Sequence, residues 1–100
     1  MTLEEITEKI RGKFQYADRI SAKILFDFGD DGKLFIDATQ SPPDISHDEG
    51  EADVTLITSL ETFGKILDGN QDPNIAFMMG KLKVRGSMGL AMKLNSLLES

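Results

Sequence analysis

The feature that most constrains this chain is a pair of short alternating stretches, Lys23-Ile-Leu-Phe-Asp-Phe28 and Leu34-Phe-Ile-Asp-Ala38, separated only by residues 29–33. A period of two puts Ile24, Phe26 and Phe28 on one face of a strand, and Leu34, Ile36 and Ala38 on one face of the next. Gly29-Asp-Asp-Gly32 between them is rich in residues that tolerate positive φ, as a hairpin turn requires. An antiparallel pair with one apolar face does not stand alone in water, so other elements must cover it.

The rest of the chain supplies the cover. Thr2 with Glu5 forms a capping box, and Leu3, Ile6, Ile10 and Phe14 share one helical face, with Gly12 weakening the last turn. Thr39 to Glu51 is the most polar stretch, where Pro42-Pro43 and Gly50 mark a loop around a short strand near Ile45. Asp53-Val-Thr-Leu-Ile-Thr58 reads as another strand. Thr58 with Glu61 reads as a second capping box, and Phe63, Ile66 and Leu67 form a helical face that Gly69 ends. Asp72-Pro73 is an N-cap with proline at the first helical position; Ile75, Met78 and Met79 follow at helical spacing until Gly80. Lys81-Leu-Lys-Val-Arg85 alternates as a half-buried strand. The last helix carries Leu90, Leu94, Leu97 and Leu98 on one stripe, with Met88 and Met92 along its flank. Strands joined by short turns and covered by helices predict the α+β class, with a mainly antiparallel sheet and one domain over residues 1–100.

Charge is unevenly distributed. Residues 27–72 hold twelve acids against Lys33 and Lys65, whereas residues 73–98 hold Lys81, Lys83, Arg85 and Lys93 with no acid at all. The net charge of −6 disfavours nucleic acid, and no aromatic residues interleave with the short basic stretch as a stacking surface would need. No apolar run approaches the roughly 20 residues of a membrane span. The acidic start, Met1-Thr-Leu-Glu-Glu-Ile, is unlike a secretory signal, and Leu97-Leu-Glu-Ser100 carries no retention or peroxisomal address. With no cysteine, the expectation is a protein of the cytoplasm.

Catalysis needs a positioned acid, base or nucleophile, and little here offers one. His47 is the only histidine and sits among Asp44, Asp48 and Glu49 in the polar loop, at a spacing that matches no established metal-ligand pattern. Asp27-Phe-Gly-Asp30-Asp31-Gly32 begins like a calcium loop but lacks the alternating acids and the distal glutamate. Gly29 to Lys33 has neither the length nor the Ser/Thr of a phosphate loop. No enzyme, metal or cofactor is expected.

What stands out chemically is methionine. Four of the five methionines fall between Phe77 and Met92. Methionine is unbranched and polarisable, so it suits surfaces that must fit apolar shapes which vary, whereas Leu, Ile and Val specify a rigid core better.

The same window carries a resemblance. Ala52-Asp-Val-Thr-Leu-Ile-Thr58, Phe63, Leu67-Asp-Gly69, Pro73, Ala76-Phe77, Gly80-Lys-Leu-Lys83 and Gly86-Ser-Met88-Gly-Leu-Ala-Met92-Lys93-Leu94 resemble, in order and spacing, the sterol carrier protein 2 family of small lipid-binding domains. The resemblance implies a five-stranded, mainly antiparallel sheet with helices on one side and an apolar tunnel between. It implies a monomeric carrier of fatty acid, acyl-CoA, sterol or phospholipid, making transient membrane contact and using no cofactor. By position it implies Phe63, Leu67, Phe77, Met79, Met88 and Met92 as tunnel lining, and Lys81, Lys83 and Lys93 as partners of an anionic head group. The alternative is an accessory module that presents an isoprenoid or other lipid intermediate to a partner enzyme.

A tunnel is costly in so short a chain. At about 24 cal/mol per Å³, an empty rigid pocket of ~400 Å³ costs on the order of 10 kcal/mol. That rivals the whole stability of a domain, roughly 5–15 kcal/mol. A binding tunnel here has to be collapsed or occupied, and pliable methionines permit collapse.

Overall fold

The alternating stretches form the expected hairpin. In the structure, a computed structural model that describes residues 2–15, 20–40 and 42–99, strand β1 (Lys23–Asp27) pairs antiparallel with β2 (Lys33–Asp37). A single 3₁₀ turn, Gly29–Asp31, joins them, with Gly29 and Gly32 both at positive φ. The other elements are helix α1 (Leu3–Phe14), strands β3 (Asp44–Ser46) and β4 (Val54–Thr58), helices α2 (Leu60–Leu67) and α3 (Pro73–Met78), strand β5 (Leu82–Gly86) and helix α4 (Met88–Glu99).

The five strands make one sheet in the order β3-β2-β1-β4-β5. Three of the four pairings are antiparallel, but the central one, β1 with β4, is parallel, so the sheet is mixed. The reason lies in the connection. Residues 47–53 carry the chain from the β3 edge across β2 and β1 without a helix, and Gly50 lies against the Phe35 ring as they cross. Leu25, on the strand face opposite Ile24 and Phe26, is 7% exposed and lies outside the main core. A partly covered apolar patch therefore sits on the outer face of the sheet as well.

The main core lies on the other face. Ile24, Phe26, Leu34, Ile36, Val54 and Leu56 project from the sheet and are essentially fully buried. Ile6, Ile10 and Phe14 from α1, Phe63 and Ile66 from α2, and Leu94 and Leu98 from α4 meet them. Phe63 fills the space between sheet and helices, its ring centroid 5.0 Å from Phe26 and 5.4 Å from Phe28. Inside α1, the buried Thr7 hydroxyl donates to the Leu3 carbonyl at 2.7 Å. Having spent its one proton there, it accepts from His47 Nε2 at 3.0 Å, which ties the crossover to the helix.

Helix ends follow the sequence with one shift. The Thr2–Glu5 capping box is formed, and the Asp72 carboxylate caps α3 through the Asn74 and Ile75 amides. The second cap is Ser59, whose hydroxyl accepts from the Thr62 amide, instead of Thr58. Thr58 is the last residue of β4, and its buried hydroxyl donates to the Lys81 carbonyl at 2.8 Å. Gly69 and Gly80 close α2 and α3 in Schellman turns: the amides of Asn70 and Lys81 reach back to the carbonyls of Lys65 and Ala76.

The turn from β5 into α4 is tight. Gly86 has φ +93°, and a Cβ there would lie 2.5 Å from the Asp53 carbonyl oxygen. Gly86→Ala is expected to cost at least about 2–3 kcal/mol from strained backbone and overlap. Phe63→Ala is expected to cost about 3–5 kcal/mol by opening a core cavity. Urea unfolding with unchanged m-values checks both.

Candidate functional site

Six large apolar side chains are exposed among the described residues, and all lie between residues 75 and 92: Ile75, Phe77, Met78, Met79, Met88 and Met92. Their exposure runs from 44% at Phe77 to 82% at Met78. The local sequence explains it. Helix α3 is six residues long and almost wholly apolar, but a helix of under two turns has one inward face, and Pro73 and Ala76 occupy it. The rest must point outward. In α4, Ala91, Leu94 and Leu98 take the core stripe, which turns Met88 and Met92 to its flank.

One hydrogen bond aligns the two flanks. Asn95 Nδ2 donates to Asn74 Oδ1 at 3.0 Å. Asn74, Phe77 and Met78 share a face of α3 at spacings of three and four, and Met88, Met92 and Asn95 share a stripe of α4. The bond therefore sets the Phe77–Met78 side of α3 toward the Met88–Met92 side of α4. Between these helices in sequence runs β5, an edge strand that pairs only with β4. It turns Leu82 and Val84 inward and Lys83 and Arg85 out, and Lys81 and Lys93 are exposed nearby in sequence. Ion pairs join Lys9 to Asp68, Arg11 to Glu8 and Lys65 to Glu61; among the described residues none reaches Lys81, Lys83, Arg85 or Lys93.

The residues expected around a tunnel thus divide. Phe63 is fully buried and Leu67 nearly so, whereas Phe77, Met79, Met88 and Met92 lie on the surface. Leu67 reaches the wall of an open groove of about 390 Å³ with Ile66, Gln71, Pro73 and Leu98, where α2 turns into α3 beneath the end of α4. The grooves described are clefts open to solvent. Sequence reasoning did not assign Ile75 or Met78 to the site. A usable signal existed: six of the seven residues from Pro73 to Met79 are apolar, more than so short a helix can bury.

Among the described residues no three His, Asp or Glu side chains converge as a metal site would need. Asp37, at the end of β2, is held below the usual carboxylate range by the Thr39 hydroxyl, with help from the Gln40 side chain, in a local turn.

With this geometry in view, relatives can be placed beside it. The SCP-2 sterol transfer family model matches residues 3–99. Hydroxysteroid dehydrogenase-like protein 2 of Bos taurus is 39% identical over 71 residues, which cover 69% of this chain and 17% of that protein. The chain thus spans less than a fifth of that relative's length. Sterol carrier protein 2 like 2 of Aedes aegypti has the same fold: TM-score 0.79, 22% identity, 94% of each chain covered. A solution structure of palmitated SCP2L2 from that species gives a TM-score of 0.77 at 21% identity, over 100% of this chain and 96% of the other. A match over nearly the whole length, on a five-stranded sheet with four helices, makes this chain a member of the SCP-2 sterol transfer family.

Proposed function

We propose that this chain is a non-enzymatic lipid-binding domain that takes the apolar part of a fatty acid, acyl-CoA, sterol or phospholipid at the methionine-lined seam between α3 and α4. The observation that carries this reading is the concentration of every exposed large apolar side chain, among the described residues, on those two helices and the Met79 cap of α3. The palmitated relative of the same fold supports it. Burying an acyl tail yields about 0.8 kcal/mol per methylene, so a tail of a dozen or so contributes about 10 kcal/mol before ordering costs. That is about what opening a ~400 Å³ pocket costs. A tail can therefore part the seam and enter toward Phe63 and Leu67 with little net strain, while Met78, Met88 and Met92 adapt to its shape. Lys81, Lys83 and Lys93 would hold an anionic head group outside. The domain acts in this reading as a monomer in the cytoplasm.

A second reading is favoured by one observation: the bovine relative is more than five times longer than the matched segment. The domain would then present an isoprenoid or other lipid to a partner enzyme. Size exclusion with lysate pull-down separates the two, since a stand-alone carrier runs alone with its lipid.

Mass spectrometry of freshly purified native protein is expected to find bound lipid. At a hundredfold excess over Kd, a ligand stabilises by about 2.7 kcal/mol, or about 10–20 °C in Tm for a domain this size. No bound lipid and no shift with fatty acid, acyl-CoA or sterol would sink the proposal. Met92→Glu, at a surface position, should keep stability within about 0.5 kcal/mol of wild type and lose lipid uptake. Lys81→Glu with Lys83→Glu should weaken acyl-CoA more than an uncharged sterol; equal losses would remove the head-group role.

A further inference from the structure

We infer that Met78, Met88 and Met92 form an oxidation switch, in which a peroxide converts their thioethers to sulfoxides and turns lipid uptake off without unfolding the domain. The inference rests on the lipid-binding reading above and adds a modification site to it. It begins from where sulfur lies. The chain has no cysteine, so thioethers are the only sulfur an oxidant meets. Met78 is 82% exposed, Met92 69% and Met88 51%, and no methionine among the described residues belongs to the buried core. An oxidant in water therefore reaches all three without any opening of the fold.

The step is a two-electron oxidation of sulfur. The sulfur lone pair attacks one peroxide oxygen, the O–O bond breaks and the S–O bond forms, and the other oxygen leaves as water with both protons. A flexible apolar side chain becomes a polar one. Sulfoxides disrupt cores that contain methionine. Here the core is filled by Phe26, Phe28 and Phe63 with aliphatic side chains, so the domain without lipid keeps its packing after oxidation. The seam does not escape. The Asn95–Asn74 bond sets Met78 toward Met88 and Met92, so a tail between the helices meets all three. A sulfoxide oxygen pressed against an acyl tail has no donor there, and each such contact weakens binding about tenfold. Because the oxidised side chains stay on the surface, a methionine sulfoxide reductase can reach them. Its dithiol becomes a disulfide, the oxygen leaves as water, and the thioether returns.

Graded hydrogen peroxide followed by peptide mass mapping should add oxygen at Met78 ahead of Met88. Calorimetric titration of the oxidised protein with palmitate should give an affinity about tenfold weaker or worse than that of untreated protein. The melting temperature without lipid should move by only a few degrees. Methionine sulfoxide reductase with a dithiol should restore the affinity. In a variant with Met78→Leu, Met88→Leu and Met92→Leu, the ratio of treated to untreated affinity should stay near one, whatever the starting affinity. Met79, the exposed C-cap of α3, stays oxidisable in that variant and controls for sulfoxide elsewhere. Met92→Gln, a polar side chain of similar length, should reproduce part of the loss with no oxidant, a readout that holds even if the triple variant fails to fold. Full oxidation with unchanged palmitate affinity, an equal loss in the leucine variant, full affinity in Met92→Gln, or loss through unfolding would each overturn the inference. Untreated protein that binds no lipid would overturn the carrier reading and this inference with it, whereas binding that survives oxidation overturns this inference alone.

Discussion

The parallel pairing of β1 with β4 is the constraint on which the rest of the structure depends, and Asp53 secures it. Its amide donates to the Lys23 carbonyl at 2.8 Å, and its carboxylate accepts from the Lys23 amide at 2.9 Å, which sets Ile24 opposite Val54. Its carbonyl accepts from the Ser87 amide at 3.0 Å, beside the glycine that turns β5 into α4. One residue thus joins the hairpin, β4 and the start of the last helix. A slip of one residue between β1 and β4 would send Val54 and Leu56 to the outer face and empty the core.

From that junction the exposed face follows by geometry. Helix α4 leaves Ser87 in a fixed direction, packs Ala91, Leu94 and Leu98 against the core, and has no inward position left for Met88 or Met92. Helix α3 is pinned between two Schellman turns and the Asp72 cap, so it cannot lengthen to bury more of its apolar residues. The core is filled by Phe63, Phe26 and Phe28, whose rings pack together, whereas the unbranched methionines stay on the surface. Rigid aromatics therefore lie inside and pliable methionines outside.

Much of this was legible in the residues. Short-range chemistry carried well: Thr2 with Glu5, Asp72-Pro73, Gly69, Gly80 and the short strand at Ile45 all stand where their patterns put them. The shift from Thr58 to Ser59 arose because both residue types cap helices, and only the tertiary contact from Thr58 to Lys81 decides between them. The parallel strand pair was hidden because such crossovers ordinarily contain a helix, and residues 47–53 do not. The site was half visible: the methionine window was evident, but whether each side chain faces core or solvent depends on how much of α3 the sheet can accept.

Methionine methyl groups report on this directly. Carbon-13 methyl spectra of the protein titrated with a long-chain fatty acid follow all five methionines at once, with Met1 as an internal control at the other end of the chain. If the α3–α4 seam holds the acyl tail, the methyls of Met78, Met88 and Met92 shift and saturate together while Met1 stays in place. Saturable binding that leaves those three methyls unmoved would contradict it.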